Sequence, residues 1–405
     1  MADVDDRWHV DRPRAGAEPC REHGLYASAR HGAGKRWAAR YRDDTGEQRS
    51  PLFERKRDAE DHLAKARTDL NRGAYVDPKV GRVKLRDYAA RWLAGQTTDP
   101  STREAAEHRL RNHVLPALGG HELRALAPST VQAWTRGLQG QLAANSVRVV
   151  FTLLSAVLQA AVDDGLIVKN PCRAPSVRPP AADRRRVVPW TAERVAAVRE
   201  AIPARDREMV SAAAGIGLRQ GEVFGLGVAD VDWLRGVVHI RRQVKIVGGR
   251  LVFAPPKGGK ERDVPLPKSV SLRLAAQLAG FPARTVTLPW RDPGAKPVTV
   301  ELIFTTAAGA AHRRNRFAAA VWRPALATAG VPAARDAGMH ALRHYFASVV
   351  LDGGANIKAL ADWLGHADPG FTLRTYTHLM PAGETRMRQA IDAALLSETR
   401  EKAAR

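Results

Sequence analysis

Two proline-bearing breaks constrain the fold of this chain more than any other feature. The first, Tyr75 to Arg82, contains Asp77-Pro78; the second starts at Asn170-Pro171 and runs through Pro175, Pro179 and Pro180 to Pro189. Proline lacks the backbone donor and drives the preceding residue out of the α region, so no helix or central strand continues through either break. The 405 residues are too many for one ordinary domain. The breaks divide them into a region before residue 75, one over 82–172 and one over 187–398. With 44% hydrophobic and 26% charged residues the chain can bury real cores, which excludes wholesale disorder.

Residues 1–20 are polar and proline-containing and read as a disordered tail. Over 21–75 the pattern becomes a small sheet followed by a helix. Apolar and basic side chains alternate from Arg36 to Arg42, as a half-buried strand requires; Asp44-Thr45-Gly46 supplies a turn, and a further strand ends near Phe53. Arg57 to Asn71 predicts a helix with Ala59, Leu63, Ala66 and Leu70 on one face and Gly73 as its stop. Cys20 and Cys172 are the only cysteines, too few for a disulfide framework. Cys20 and His23 have the spacing of metal ligands, but no second pair of matching spacing lies nearby, so the sequence assigns no metal.

From 82 to 172 the period is helical. Leu85, Tyr88, Ala89, Trp92 and Leu93 mark one helix and Ser101 to Val114 a second; a third follows Pro128-Ser129, and a fourth runs from about Asn145 to Asp164. The most apolar stretch, Val147 to Val168, is interrupted by Arg148, Gln159, Asp163 and Asp164, which leaves too short a run for a membrane span and predicts a buried helix. The first residues carry charge where a signal peptide needs an apolar core, so the expected location is the cytoplasm. Residues 173–189 form a basic, proline-rich linker in which Arg184, Arg185 and Arg186 are candidates for lying along phosphates. The third region opens with helices that Thr191 and Asp206 can cap. It passes into strand-like runs around Val237–Ile240, Leu251–Phe253, Arg262–Leu266, Val286 and Val298–Phe304, and returns to helices from Arg316. The expected class is a multidomain α+β protein, mainly α with small β-sheets.

Lys and Arg outnumber Asp and Glu by 64 to 42, a surplus of +22. In a chain of globular composition that surplus argues for a polyanionic partner, nucleic acid first and an acidic membrane surface second. No long basic amphipathic helix with bulky apolar residues dominates, which disfavours the membrane.

Three clusters and a lysine in the third region are placed for chemistry. They are Gly217-Leu218-Arg219-Gln220-Gly221-Glu222; His340-Ala341-Leu342-Arg343-His344; and Leu364-Gly365-His366 followed by Tyr376-Thr377-His378; Lys257 lies at the tip of an expected hairpin. A phosphodiester undergoing transesterification develops negative charge on its non-bridging oxygens. Arg219 and Arg343 can hold that charge by forked hydrogen bonds, and His340 and His366 can add donors or move protons. A tyrosine hydroxyl beside such cations becomes a usable nucleophile, and Lys257 can protonate the leaving oxygen. No ordered carboxylate cluster and no Walker-type phosphate loop stand out, so a metal-dependent nuclease or an ATPase is poorly supported.

The order Arg…Lys…His-x-x-Arg…His…Tyr resembles the tyrosine recombinase family, the phage-integrase type of site-specific recombinases. The matching residues are the Arg219 and His340 clusters with Leu226, Lys257 before Val264-Pro265-Leu266, Leu364-Gly365-His366, and Arg374-Thr375-Tyr376-Thr377-His378. The resemblance implies a catalytic domain over 187–398, a helical core-binding domain over 82–172 and an arm-type DNA-binding domain over 21–75, with residues 281–304 as an insertion. It further implies that Tyr376 forms a 3′-phosphotyrosyl link and frees a 5′-hydroxyl that later attacks the partner strand. Arg219 and Arg343 would clamp the phosphate, with His340 and His366 assisting, Lys257 as general acid (Lys260 the alternative) and Glu222 supporting Arg219. Tyr345 directly follows His344, where a packing residue is expected, which leaves Tyr376 as the nucleophile. Bond energy is retained in the link, so no cofactor, ATP or divalent metal is implied.

The implied partners are double-stranded DNA attachment sites and further copies of the chain in a tetramer on two duplexes, with an excision factor and a DNA-bending protein as accessories. The amphipathic last helix, around Met387, Ile391, Leu395 and Leu396, can cap its own domain or dock on a neighbouring protomer. The implied activity is integration and excision of a phage or other mobile element. The alternatives are a housekeeping resolvase, a topoisomerase-like enzyme of the same chemistry, or a DNA-binding regulator without catalysis. The N-terminal module argues against a minimal resolvase, and the intact set of six catalytic residues against a regulator.

Overall fold

The computed structural model describes residues 3–12, 18–43, 46–71, 80–183, 187–334, 336–366 and 368–376, with 388, 391 and 392. Asp44-Thr45, Arg184, Arg185, Arg186, Thr377-His378 and nearly all of the last helix lie outside the described residues. The chain divides into two compact units, residues 1–97 with 105–183 and residues 98–104 with 184–405.

In the first unit, strand Trp37–Arg42 pairs with Asp3–Asp6 along one edge and with Gln48–Arg49 and Leu52–Phe53 along the other, all antiparallel. Helix Lys56–Asn71 covers the sheet, with Ala59, Leu63 and Ala66 packed on Ala39 and Tyr41. The strand Asp3–Asp6 corrects the expected disordered tail. Its sequence, Asp-Val-Asp-Asp, carries no apolar period, but Val4 packs on the core, Asp5 pairs diagonally with Arg40, and Asp6 pairs with Arg36 just before the partner strand, so apolar contact and opposite charges support the pairing.

Helices Leu85–Ala94, Pro100–Arg109, Pro128–Gln139 and Ala144–Asp163 fall where the helical period places them. By length and composition Ala144–Asp163 is apolar enough to cross a membrane, contrary to the expectation that its charges shorten the run too far. Its Val147, Val150, Leu154, Val157 and Leu158 form the centre of the bundle core. The expected linker also packs here as far as Asp183. Val177 is buried with Cys172, the Arg178 N–H donates to Gln132 Oε1 at 2.7 Å, and Asn145 Nδ2 donates to the Asp183 carbonyl at 3.2 Å.

The second unit is built around helix Ala204–Ile216, buried along Met209, Val210, Ala212, Ala213 and Ile216, with helices Lys268–Gly280 and His340–Asp352 against it. Thr191 caps helix Ala192–Ala201, its Oγ1 accepting from the Arg194 N–H at 3.2 Å. Asp206, expected to cap the next helix, lies within its first turn instead, because Pro203 takes the cap position and starts the helix earlier. The strands are antiparallel: Val231–Asp232, Val237–Ile240 and Arg262–Pro265 form one sheet, Gln243–Val247 and Arg250–Ala254 a hairpin, and Arg284–Pro289 and Pro297–Leu302 a ribbon within 281–304. This pairing moves Lys257. Arg250–Ala254 pairs with Gln243–Val247 while Arg262–Pro265 pairs with Val237–Ile240, so Lys257 lies on a crossover between two sheets and not at a hairpin tip.

Candidate active site

Helix Ala204–Ile216 ends at Gly217 with φ +67°, and helix Ile357–Leu364 ends at Gly365 with φ +63°. Both are left-handed caps that leave terminal carbonyls without helical partners. Those carbonyls seat two arginines. Arg343 Nη1 donates to the Gly217 carbonyl at 2.6 Å, its Nη2 donates to the Leu364 carbonyl, and Arg219 Nη2 donates to the Gly365 carbonyl at 3.5 Å. The negative ends of two helix dipoles thus hold two cations. A Cβ on Gly217 would stand 2.5 Å from Phe346 Cδ1, in a backbone conformation that side chains disfavour. Gly217→Ala is therefore expected to cost about 2 kcal/mol or more, read as a lowered denaturation midpoint. An unchanged midpoint would mean that the cap tolerates a side chain.

Glu222 is 1% exposed and takes four hydrogen bonds: from the Arg219 N–H at 2.8 Å, Arg219 Nη1 at 2.9 Å, and Arg262 Nη1 and Nη2 at 3.0 and 2.7 Å. Burial alone would raise its carboxyl. Arg262 first, then the charges of Arg219 and Arg343, overcome that and hold it down at about 2, against an ordinary 4.5. A carboxyl depressed on folding adds stability that is complete above the ordinary value and is lost as pH falls through the folded one. Acid unfolding should therefore gain steepness as pH drops from 4.5 toward about 2. Glu222→Gln should flatten that dependence and cost about 3–5 kcal/mol at neutral pH by leaving buried guanidinium charge uncompensated. Denaturant titrations across the pH range measure both; an identical pH slope in the variant would refute the assignment.

Arg262 was not singled out by the sequence. It starts strand Arg262–Pro265 on the buried face shared with Val264, and its Nε donates to the Trp363 carbonyl at 2.7 Å. A basic residue on the inward side of a strand is the signal that would have found it. Arg219, Arg262 and Arg343 against the one carboxylate of Glu222 leave a local surplus of about two positive charges.

His340 opens helix His340–Asp352, and His344, one turn on, meets it edge-to-face with ring centroids 4.6 Å apart. His366 Nε2 lies 3.4 Å from Arg343 Nη2, and its Nδ1 is 2.6 Å from Thr372 Oγ1. All three imidazoles are pushed down to about 4 by burial first; Arg343 and Arg219 add to this at His340 and His366, and His340 and Arg343 at His344. They are neutral at physiological pH and can each donate one N–H. Lys257 is exposed on its crossover, and its charge is among those depressing His340. Lys260, the alternative lysine, lies 3.6 Å from Asp362.

Tyr376 ends helix Pro369–Tyr376, is 2% exposed, and has its hydroxyl 2.8 Å from His344 Nδ1. Burial pushes the phenol up to about 12, with Arg343 opposing. Arg343 acts in the direction the sequence expects of a neighbouring cation, and desolvation outweighs it. His344 belongs to the quoted motif, yet nothing in its spacing marked it as the partner of Tyr376. The structure thus gathers Arg219, Glu222, His340, Arg343, His366 and Tyr376 around three helix ends, with Lys257 beside them.

Residues 191–382 match the model of the phage integrase family, and residues 84–139 that of the phage integrase N-terminal SAM-like domain. The chain is 34% identical to the tyrosine recombinase XerC of Rhodospirillum centenum, over 69% of this chain and 76% of that one. Its fold matches the Tn1549 transposon integrase in complex with transposon right end DNA, with a TM-score of 0.63 and 20% identity over 77% of this chain and 99% of that one. It also matches a lambda integrase tetramer bound to a Holliday junction, with a TM-score of 0.56 and 17% identity over 84% and 92% of the two chains. These family matches define a tyrosine-type site-specific recombinase. The chain belongs to the phage integrase family.

Proposed function

We propose that this recombinase integrates and excises a phage or other mobile element, with Tyr376 as its nucleophile. The observation that carries the reading is the seating of Arg219 and Arg343 on the carbonyls of Gly217, Leu364 and Gly365, beside His366 and the buried Tyr376. In the first step the Tyr376 Oη–phosphorus bond forms as the bond from phosphorus to the 5′ oxygen breaks. The phenolic proton passes to a neutral imidazole, for which His344 is already in hydrogen-bond contact, and the 5′ oxygen takes a proton from Lys257. Arg219 and Arg343 hold the non-bridging oxygens, with His340 and His366 assisting. Glu222 and Arg262 keep Arg219 in place. Attack of the partner strand's 5′-hydroxyl reverses these steps, so the link carries the bond energy and no nucleotide cofactor enters.

The partners in this reading are double-stranded attachment sites and three further copies of the chain over two duplexes, as in the lambda integrase tetramer on a Holliday junction. The 21–75 domain reads arm-type sites, the 82–172 domain reads core sites, and Arg184, Arg185 and Arg186 follow phosphates. The last helix docks on a neighbouring protomer. An excision factor and a bending protein set direction, and the reaction takes place in the cytoplasm. The test uses supercoiled plasmid carrying the element's junction, incubated with protein without magnesium or ATP and quenched with detergent. Protein covalently attached to nicked DNA is expected. Tight binding without adduct, on a nicked suicide substrate of the true junction as well, would leave a regulator in its place.

A further inference from the structure

Between strands Asp3–Asp6 and Trp37–Arg42 the chain makes a long excursion over residues 7–36. Among its described residues no apolar side chain is buried: Val10 is 40% exposed and Leu25 47%, and none joins the small core around Ala39 and Tyr41. An irregular segment of that length, lacking a core, needs another source of order. What it encloses is imidazole and thiol. His9, 8% exposed, has Nε2 3.5 Å from Cys20 Sγ, and His23 Nδ1 lies 3.4 Å from the same sulfur. The ring of His31 stands 5.1 Å from that of His9 and 5.9 Å from that of His23. One ligand atom from each of the four residues lies within 4.8 Å of all the others.

We infer that His9, Cys20, His23 and His31 bind a single zinc ion that cross-links this excursion. Zinc–nitrogen and zinc–sulfur bonds of about 2.0–2.3 Å give tetrahedral edges of about 3.3–3.8 Å, so the two sulfur–nitrogen separations are already those of ligands on one metal. The surroundings are those of a ligand set. Asp6 Oδ2 accepts from His9 Nδ1 at 2.9 Å, which fixes the ring and turns Nε2 toward the sulfur, and Arg36 Nη2 in turn holds Asp6 at 2.8 Å. The His23 backbone N–H donates to Cys20 Sγ at 3.3 Å. His31 Nε2 is buried with no hydrogen-bond partner, a costly arrangement that a metal bond relieves. Four protein donors fill a tetrahedron and leave no open position, so the site is structural. This revises the sequence expectation of no metal. The second ligand pair exists, but its members, His9 and His31, flank Cys20 and His23 on both sides and meet only through the fold.

The test is metal analysis of the full-length protein purified without chelator. About one zinc per chain is expected, kept when the other cysteine is replaced in Cys172→Ala and lost in Cys20→Ala and His31→Ala. Asp6→Asn, which leaves all four ligands, should weaken zinc affinity by about 10-fold or more. Should the ligand variants fail to fold, cobalt substitution of the unaltered protein decides: a thiolate-to-cobalt charge-transfer band and tetrahedral d–d bands are expected. Wild-type protein that holds no zinc even after incubation with it, ligand variants with wild-type zinc content, or a cobalt spectrum without the thiolate band would each overturn the inference.

Discussion

Tyr376→Phe is expected to lose the covalent protein–DNA adduct, with cleavage falling by about 10⁴-fold or more, while binding to the site persists. The substitution removes one oxygen and leaves the ring in its pocket with Phe346, Leu351, Leu360 and Leu364, so the helix that ends there stays packed. The hydrogen bond to His344 Nδ1 is lost, which costs about 1–3 kcal/mol for the buried nitrogen left behind and lowers the melting temperature modestly. Binding depends on the cationic surface and the helical domains, which the change does not touch. Detergent-quenched gels measure the adduct and mobility shifts measure binding. A wild-type level of adduct would move the nucleophile elsewhere, with Tyr345 as the next residue to replace.

The second large effect is expected at Arg343, which is 1% exposed and joins two helix ends by its fork. Arg343→Lys keeps the charge but cannot reach both the Gly217 and Leu364 carbonyls while presenting a donor to phosphate. One buried carbonyl loses its partner and the phosphate loses its forked contact. Cleavage of a suicide substrate should drop by about 10²–10³-fold, with a much smaller change in affinity. A wild-type cleavage rate would show that charge alone suffices at this position and that the fork does not matter.

Much of the site could be read without coordinates, because its residues sit in short motifs whose spacing means something locally. His340 and Arg343 lie one turn apart on a helix, and Glu222 follows Arg219 by three residues, the distance at which a carboxylate reaches back over a helix start. The helices of the bundle and the helix Lys56–Asn71 follow from period alone. Lys257 shows the limit. Flanking strand-like runs suggested a hairpin, but each strand found its partner elsewhere, since pairing is chosen by long-range packing and not by the nearest turn.

The sequence by itself determined the helical periods, the basic surplus and the order of the candidate site residues, because each is a property of composition or of neighbours along the chain. Tertiary structure alone decided which groups meet across long separations. Arg343 reaches the carbonyl of Gly217, Arg262 reaches Glu222, and Tyr376 reaches His344. Carbonyl seats have no side-chain signature, and the upward push on the Tyr376 phenol comes from burial that no motif encodes. The same holds at the other end of the chain, where an acidic strand meets Arg36 and Arg40 and three histidines apart in sequence gather at Cys20.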